Sequence, residues 1–218
     1  PFLFLTVFFF LPLISMLMLG MEAGGEDAVL PSIWSFFSSP YYLRVLGFSL
    51  FQAVLSTGFA LLLGIPGAYI ISHYRFPGKE VVKALSIIPF ILPSILVVLG
   101  FVLFFGNNGY INRLLMMISG TDKPPIKILY SLGAIILAHG FYNFPICIRV
   151  VSAAWERVSL SKREAASGLG AKGFRLFTSI TLPDILPALL SAAVLIFLFC
   201  FLSFAIILVL GGGPRYTT

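Results

Sequence analysis

The stretch Val45-Leu-Gly-Phe-Ser-Leu-Phe-Gln-Ala-Val-Leu-Ser-Thr-Gly-Phe-Ala-Leu-Leu-Leu-Gly-Ile-Pro-Gly-Ala-Tyr-Ile-Ile-Ser72 contains no Lys, Arg, Asp or Glu. A helix of about 20 apolar residues crosses a hydrocarbon core of about 30 Å. This run is longer than a perpendicular helix needs, which implies tilt or a bend near Pro66. Four further runs have the same character: Phe2 to Leu19 with Pro12 inside it, Val81 to Phe105 with Pro89 and Pro93 one turn apart, Ile128 to Val150 with Pro145 near its end, and Leu186 to Leu210. Proline is tolerated inside a span where neighbouring helices or polar groups satisfy the freed carbonyls, so these runs imply a packed bundle and not isolated anchors. The opening run lacks a basic leading region and a small-residue cleavage site, and reads as a span, not a signal peptide.

Composition agrees. Of the 218 residues 59% are hydrophobic and 10% charged, with mean hydropathy +1.06. A soluble domain carries roughly 45–50% apolar and about 25% charged residues, so the charges here are too few to cover a wetted surface. The fold class expected is an all-α membrane protein, a polytopic helical bundle of about five spans. The formal charge of +6 would hint at nucleic acid in a soluble protein. In a membrane protein basic residues are topology signals, and no nucleic-acid partner is expected. The side bearing Arg75, Lys79, Lys83, Arg149, Arg157, Lys162, Arg163, Lys172 and Arg175 holds nine, against five for Arg44, Arg113, Lys123, Lys127 and Arg215. The richer side is expected to be cytoplasmic. The opposite side's first loop carries Glu22, Glu26 and Asp27. Cys147 and Cys200 fall in or beside apolar runs and read as packing thiols, with no disulfide and no metal site. From Pro1 to Thr218 the chain reads as one membrane domain, and as a segment of a longer polypeptide.

Few polar residues reach membrane depth. His139 and Asn143 stand one turn apart in the fourth run; Gln52, Ser56 and Thr57 lie in the second. Such residues either mark a solute pathway or make interhelical hydrogen bonds, and His139 and Asn143 are the candidate pathway residues. No charge lies deep in a span, which argues against a proton relay or a carrier built on a buried carboxylate. Leu114 to Ile118, in the segment from Gly106 to Lys127, is too short to span and is expected at the interface or on the bundle.

The long basic loop before the last run, residues 155–182, contains Ser161-Lys-Arg-Glu-Ala-Ala-Ser-Gly-Leu-Gly170. Ser161 and Glu164 have capping-box spacing, which places a helix start at Ser161. Ala165 and Ala166 favour helix with little bulk, and Gly168 and Gly170 let the chain leave it. Phe174, Leu176, Phe177 and Ile180 make a second amphipathic stretch, and Leu182-Pro183 leads into the last run, where Asp184 complements a helix N-terminus. A small-faced helix on a basic loop between two spans suits docking into a partner's groove, and equally suits lying on lipid head groups.

Glu164-Ala165-Ala166, three residues, Gly170, nine residues, Ile180, one residue, Leu182-Pro183 resembles the extended EAA motif of binding-protein-dependent ABC importer permeases. The resemblance implies the type I importer transmembrane fold, with this loop as the coupling helix seated in a cleft of an ATPase subunit. Glu164, Ala165, Ala166 and Gly170 would be the coupling contacts, with Lys162 and Arg163 flanking them. Arg75-Phe-Pro-Gly78, Phe105-Gly-Asn-Asn-Gly109, and Cys200-Phe-Leu-Ser-Phe204 leading to Gly211-Gly-Gly-Pro214 resemble the amino-terminal half of the thiamine and iron(III) branch. The partners implied are an ATPase dimer, a periplasmic or lipid-anchored solute-binding protein, a second permease half, fused or separate, and membrane lipid of the bacterial inner membrane. No cofactor is implied. Sulfate, molybdate and polyamine importers share the wider fold.

Other classes fit less well. An intramembrane zinc enzyme would need carboxylates the spans lack, since His73 and His139 are the only histidines. A secondary transporter would need an internal repeat, and none is visible, although the paired prolines permit a broken helix. No phosphate-binding Gly-x-x-x-x-Gly-Lys-Ser/Thr loop occurs, so the resemblance assigns ATP hydrolysis to another subunit.

Overall fold

The computed structural model describes residues 2–22 and 38–211. Glu26, Asp27, Gly212, Gly213, Pro214 and Arg215 lie outside the described residues. The chain divides into two units, residues 1–47 and 48–218. In the first, helix α1 covers residues 2–22, its apolar part being Phe2–Met16. Its turn Thr6–Phe10 is a π-helical widening in which Leu11 N–H returns to the Thr6 carbonyl, just before Pro12. A proline clashes with the carbonyl four residues back, and a wider turn relieves that clash.

Among the described residues, four segments are long and apolar enough to cross a membrane: Pro40–His73, Ser94–Ser119, Leu132–Glu156 and Gly173–Phe201. The first is helix α2, Pro40–His73, which carries Pro66 without interruption. The expected third span is not one helix. It is α3 (Lys79–Ser86), α4 (Ile88–Ile91) and α5 (Ser94–Phe105), with Leu92 extended at φ −65° and ψ 140°. Pro93 is the cause: its ring disfavours helical backbone at the preceding residue and it has no N–H to continue the ladder. The segment Ser94–Ser119 also turns at 106–109, and α6 (Tyr110–Ser119) follows as a separate helix. Leu114, Met117 and Ile118 stay exposed on it, while fully buried Asn112 ties its base to the Gly106 and Ile126 carbonyls at 2.8 and 2.7 Å.

Helix α7 (Leu132–Glu156) is the hub. Of its apolar window 61% is buried, against 33% or less in the other three segments, so it alone is enclosed by protein. Helix α8 (Leu160–Gly168) lies in the basic loop, and α9 (Gly173–Phe201) follows it. Here too a π turn, Phe177–Thr181, precedes a proline, Pro183. The expected last run, Leu186 to Leu210, is divided: α9 ends at Phe201, Ser203 is extended, and α10 (Phe204–Leu210) resumes.

One core joins α2, α7 and α9 through residues such as Ala60, Cys147, Val151, Ile185 and Ile196. A second joins α5, α7 and α10 through Val98, Ala134, Ile135, Ile206 and Ile207. The buried face of α2 is small or polar at helical spacing: Ala53, Ser56, Ala60, Gly64 and Ala68. Lipid is as apolar as leucine, so helices in a membrane associate by close packing, for which small residues serve best. At Gly64 an added Cβ would lie 2.8 Å from Cys147 Sγ and 3.0 Å from the Phe144 carbonyl oxygen.

At the basic end, Glu156 pairs with Lys79 at 3.6 Å and Lys83 at 3.5 Å, so the loops after α2 and α7 lie at one end of the bundle. That agrees with the topology expected from their charge. Gly64→Ala should lower stability by about 1–3 kcal/mol through overpacking against backbone. Gly58→Ala, with nothing within 4 Å of the added methyl, should be near neutral. Thermal unfolding of the two variants in detergent checks the contrast.

Candidate functional site

Two groups of residues carry chemistry, and they are separate. The first is α8. Its N-cap is Ser159, whose hydroxyl accepts from Lys162 N–H at 3.4 Å. The helix therefore begins at Leu160, and the expected start at Ser161 is corrected. Ser159 takes extended backbone (φ −62°, ψ 119°), as an N-cap must, while Ser161 is already helical and bonds its hydroxyl to that of Ser159 at 2.7 Å.

The far end of α8 closes as a Schellman turn. Ala171 N–H donates to the Ala166 carbonyl at 3.0 Å and Gly170 N–H to that of Ser167 at 2.9 Å. Gly170 occupies the left-handed position at φ +88°. A side chain there would strain the backbone, so the glycine is fixed by geometry. Gly168 remains helical and plays no such part.

Glu164 and Ala165 are exposed on α8, Ala166 is half-buried, and Gly170 is exposed. Arg163 lies in the same helix, its side chain outside the described residues. Lys162 is placed against the bundle: its Nζ reaches both carboxylate oxygens of Asp184, at 3.0 and 3.2 Å. Asp184 stands in the first turn of the Leu182–Phe201 part of α9, which continues the helix begun at Gly173, and takes Lys162 as its partner. Two large apolar side chains stand exposed here: Phe174, from the expected amphipathic stretch, and Leu169, which the sequence reading passed over. Leu169 is 91% exposed and Phe174 80% exposed, beside the Schellman turn. Their signal was present, since a large apolar residue next to a C-terminal glycine on a polar loop has no core to enter.

The second group lies between α2, α7 and α9. Gln52, Ser56, His139, Asn143 and Cys200 are all fully buried. Ser56 Oγ and His139 Nδ1 are 3.2 Å apart, linking α2 to α7. Asn143 Nδ2 donates to the His139 carbonyl at 3.0 Å and to Cys200 Sγ at 3.4 Å, reaching α9. Gln52 Nε2 donates to the Cys200 carbonyl at 3.0 Å. That carbonyl would have bonded Phe204 N–H had the helix continued, and the break at Ser203 releases it. Gln52 thus supplies from α2 the donor that α9 loses. Gln52 Oε1, His139 Nε2 and Asn143 Oδ1 have no protein partner. Among the described residues no cluster of three or more His, Cys, Asp or Glu could hold a metal ion.

Comparison with known proteins shows what the chain as a whole is similar to. The model of the family described as "Binding-protein-dependent transport system inner membrane component" matches residues 60–217. The thiamine transport system permease protein ThiP of Brucella abortus (strain 2308) is 34% identical over 205 residues, covering 94% of this chain and 36% of the relative. ThiP of Escherichia coli (strain K12) is 33% identical over 211 residues, covering 94% and 37%. The putative 2-aminoethylphosphonate transport system permease protein PhnU of Salmonella typhimurium is 30% identical over 211 residues, covering 97% and 74%. The chain spans about a third of the length of the thiamine permeases it matches. Among solved structures, a bacterial ABC transporter involved in the import of alginate aligns with TM-score 0.71 at 21% identity, over 99% of this chain and 76% of that one. That likeness is one of fold.

Gln52→Leu should destabilise the bundle by about 0.6–1.7 kcal/mol, the range for interhelical hydrogen bonds in membranes. Denaturant unfolding in mixed micelles measures it. A variant as stable as the parent would show that the Cys200 carbonyl does not depend on Gln52.

Proposed function

The chain belongs to the family of binding-protein-dependent transport system inner membrane components, and from that premise we propose that it builds the translocation path of an ATP-driven importer and receives its drive through α8. The observation that carries the proposal is the loop itself. Glu164, Ala165 and Gly170 sit exposed on a short helix with a sharply closed end, between two helices that enter the membrane. A surface lipid helix would turn its apolar residues to one side along its length. Here the exposed apolar groups, Leu169 and Phe174, instead cluster at one end, like a plug for a cleft.

In this reading a separate ATPase dimer hydrolyses ATP. A cleft in each ATPase subunit takes a coupling helix. Glu164, Ala165, Ala166 and Gly170 are the contacts in this chain, Leu169 adds an apolar one, and Arg163 flanks them. A solute-binding protein delivers the solute to the opposite face, and a second permease half, fused or separate, completes the path. Closing of the ATPase dimer moves α8 and switches the bundle between inward-open and outward-open forms.

The solute best supported by the relatives' names is thiamine. A second reading, an organophosphonate, rests on PhnU, the relative matched over the larger part of its length. Uptake of labelled thiamine against labelled 2-aminoethylphosphonate by the full-length transporter separates the two. His139 and Asn143 take the interhelical role: both are fully buried and bonded within the bundle, which favours holding α2, α7 and α9 together over lining a path.

In full-length protein assembled with its ATPase, Glu164→Ala and Gly170→Val should each cut ATPase association and ATP-dependent uptake about tenfold or more, the cost of losing a docking hot spot. Co-purification and vesicle uptake read this out. Unchanged values for both variants would sink the coupling assignment.

A further inference from the structure

We propose that the Lys162–Asp184 ion pair is the strut through which movement of α8 reaches α9, an inference that deepens the coupling reading and rests on it. Along the backbone, α8 is joined to α9 by a soft route. Leu169 to Lys172 leaves the helix through Gly170 at φ +88° and enters the next through Gly173 at φ +52°. The π turn Phe177–Thr181 then intervenes before the regular part of α9. Glycines in left-handed conformations and a widened helical turn are places where a chain bends. A push delivered through them alone would be absorbed.

The ion pair passes over all of these. Lys162 is in the first turn of α8, and Asp184 lies beyond the π turn, in the first turn of the Leu182–Phe201 helix. The next residue, Ile185, is 3% exposed and packs in the core shared with Val151 and Trp155 of α7. Lys162 Nζ meets both carboxylate oxygens of Asp184, at 3.0 and 3.2 Å. Among the described residues it is the side chain that bonds α8 to a membrane helix. The pair also borders a recess of about 300 Å³ lined by Ala154, Arg157 and Val158 at the end of α7, so α7, α8 and α9 converge there. From that point α7 and α9 run packed together to Asn143 and Cys200, beside the break that starts α10.

An ion pair between side chains 60% and 28% exposed adds little to stability. Its contribution is positional, and such a pair biases an equilibrium by no more than about fivefold. Arg157 lines the same recess and is placed to replace a neutralised Lys162, so charge reversal is the informative change.

The test uses the full-length permease assembled with its ATPase and binding protein in proteoliposomes, reading labelled thiamine taken up per ATP hydrolysed. Lys162→Glu and Asp184→Lys should each lower that ratio two- to fivefold while the ATPase still co-purifies. The double exchange K162E/D184K should restore it, and Lys162→Arg, which keeps the charge, should match the parent. The strut is overturned if both single reversals keep the parental ratio, or if the double exchange is no better than the singles. A parent assembly without ATP-dependent thiamine uptake overturns thiamine as the solute, and the same ratio is then read with labelled 2-aminoethylphosphonate.

Discussion

Hydrocarbon offers no hydrogen-bond partner, so every place where a helix stops inside a membrane must have its freed backbone groups met by the protein. The rest of this structure follows from how that requirement is satisfied. The chain interrupts its helices at Leu92, at 106–109 and at Leu202–Ser203. At the last of these, Gln52 reaches from α2 to the Cys200 carbonyl. At the second, Asn112 meets the Gly106 carbonyl and both the N–H and the carbonyl of Ile126. At two of the three breaks a neighbouring side-chain amide meets the freed backbone groups.

That arrangement divides the bundle into stiff and jointed parts. Helices α2 and α7 run unbroken past Pro66 and Pro145, and with the regular part of α9 they share one core. Small residues on α2 bring it close enough to α7 for Gly64 to have no room for a methyl group. Around this frame, α3 to α5 and α10 are short pieces joined by turns.

Helix α8 is attached to the stiff part. Its backbone continues through glycines and a π turn, but Lys162 links it directly to Asp184 on α9. Glu164 and Ala165, together with Leu169 beyond the helix end, are left exposed. Lys162, which the resemblance implies flanks the coupling contacts, also bonds Asp184.

The sequence by itself determined the membrane class, the runs that enter the membrane, the charge-rich end and the loop that carries the family's motif. Each is local information: run length, side-chain charge, and spacing along a chain whose neighbours are already known. Gly170 was legible for the same reason, because a helix end calls for a left-handed residue and glycine adopts one without strain. The start of α8 was not, since Ser159 and Ser161 offer the same hydroxyl and only the backbone path out of α7 chose between them. Nor were the break after Phe201, the roles of Gln52 and Asn143, or the pairing of Lys162 with Asp184. Each depends on what lies across from a residue, up to 148 positions away in the case of Gln52 and Cys200, and that is set only when the helices pack.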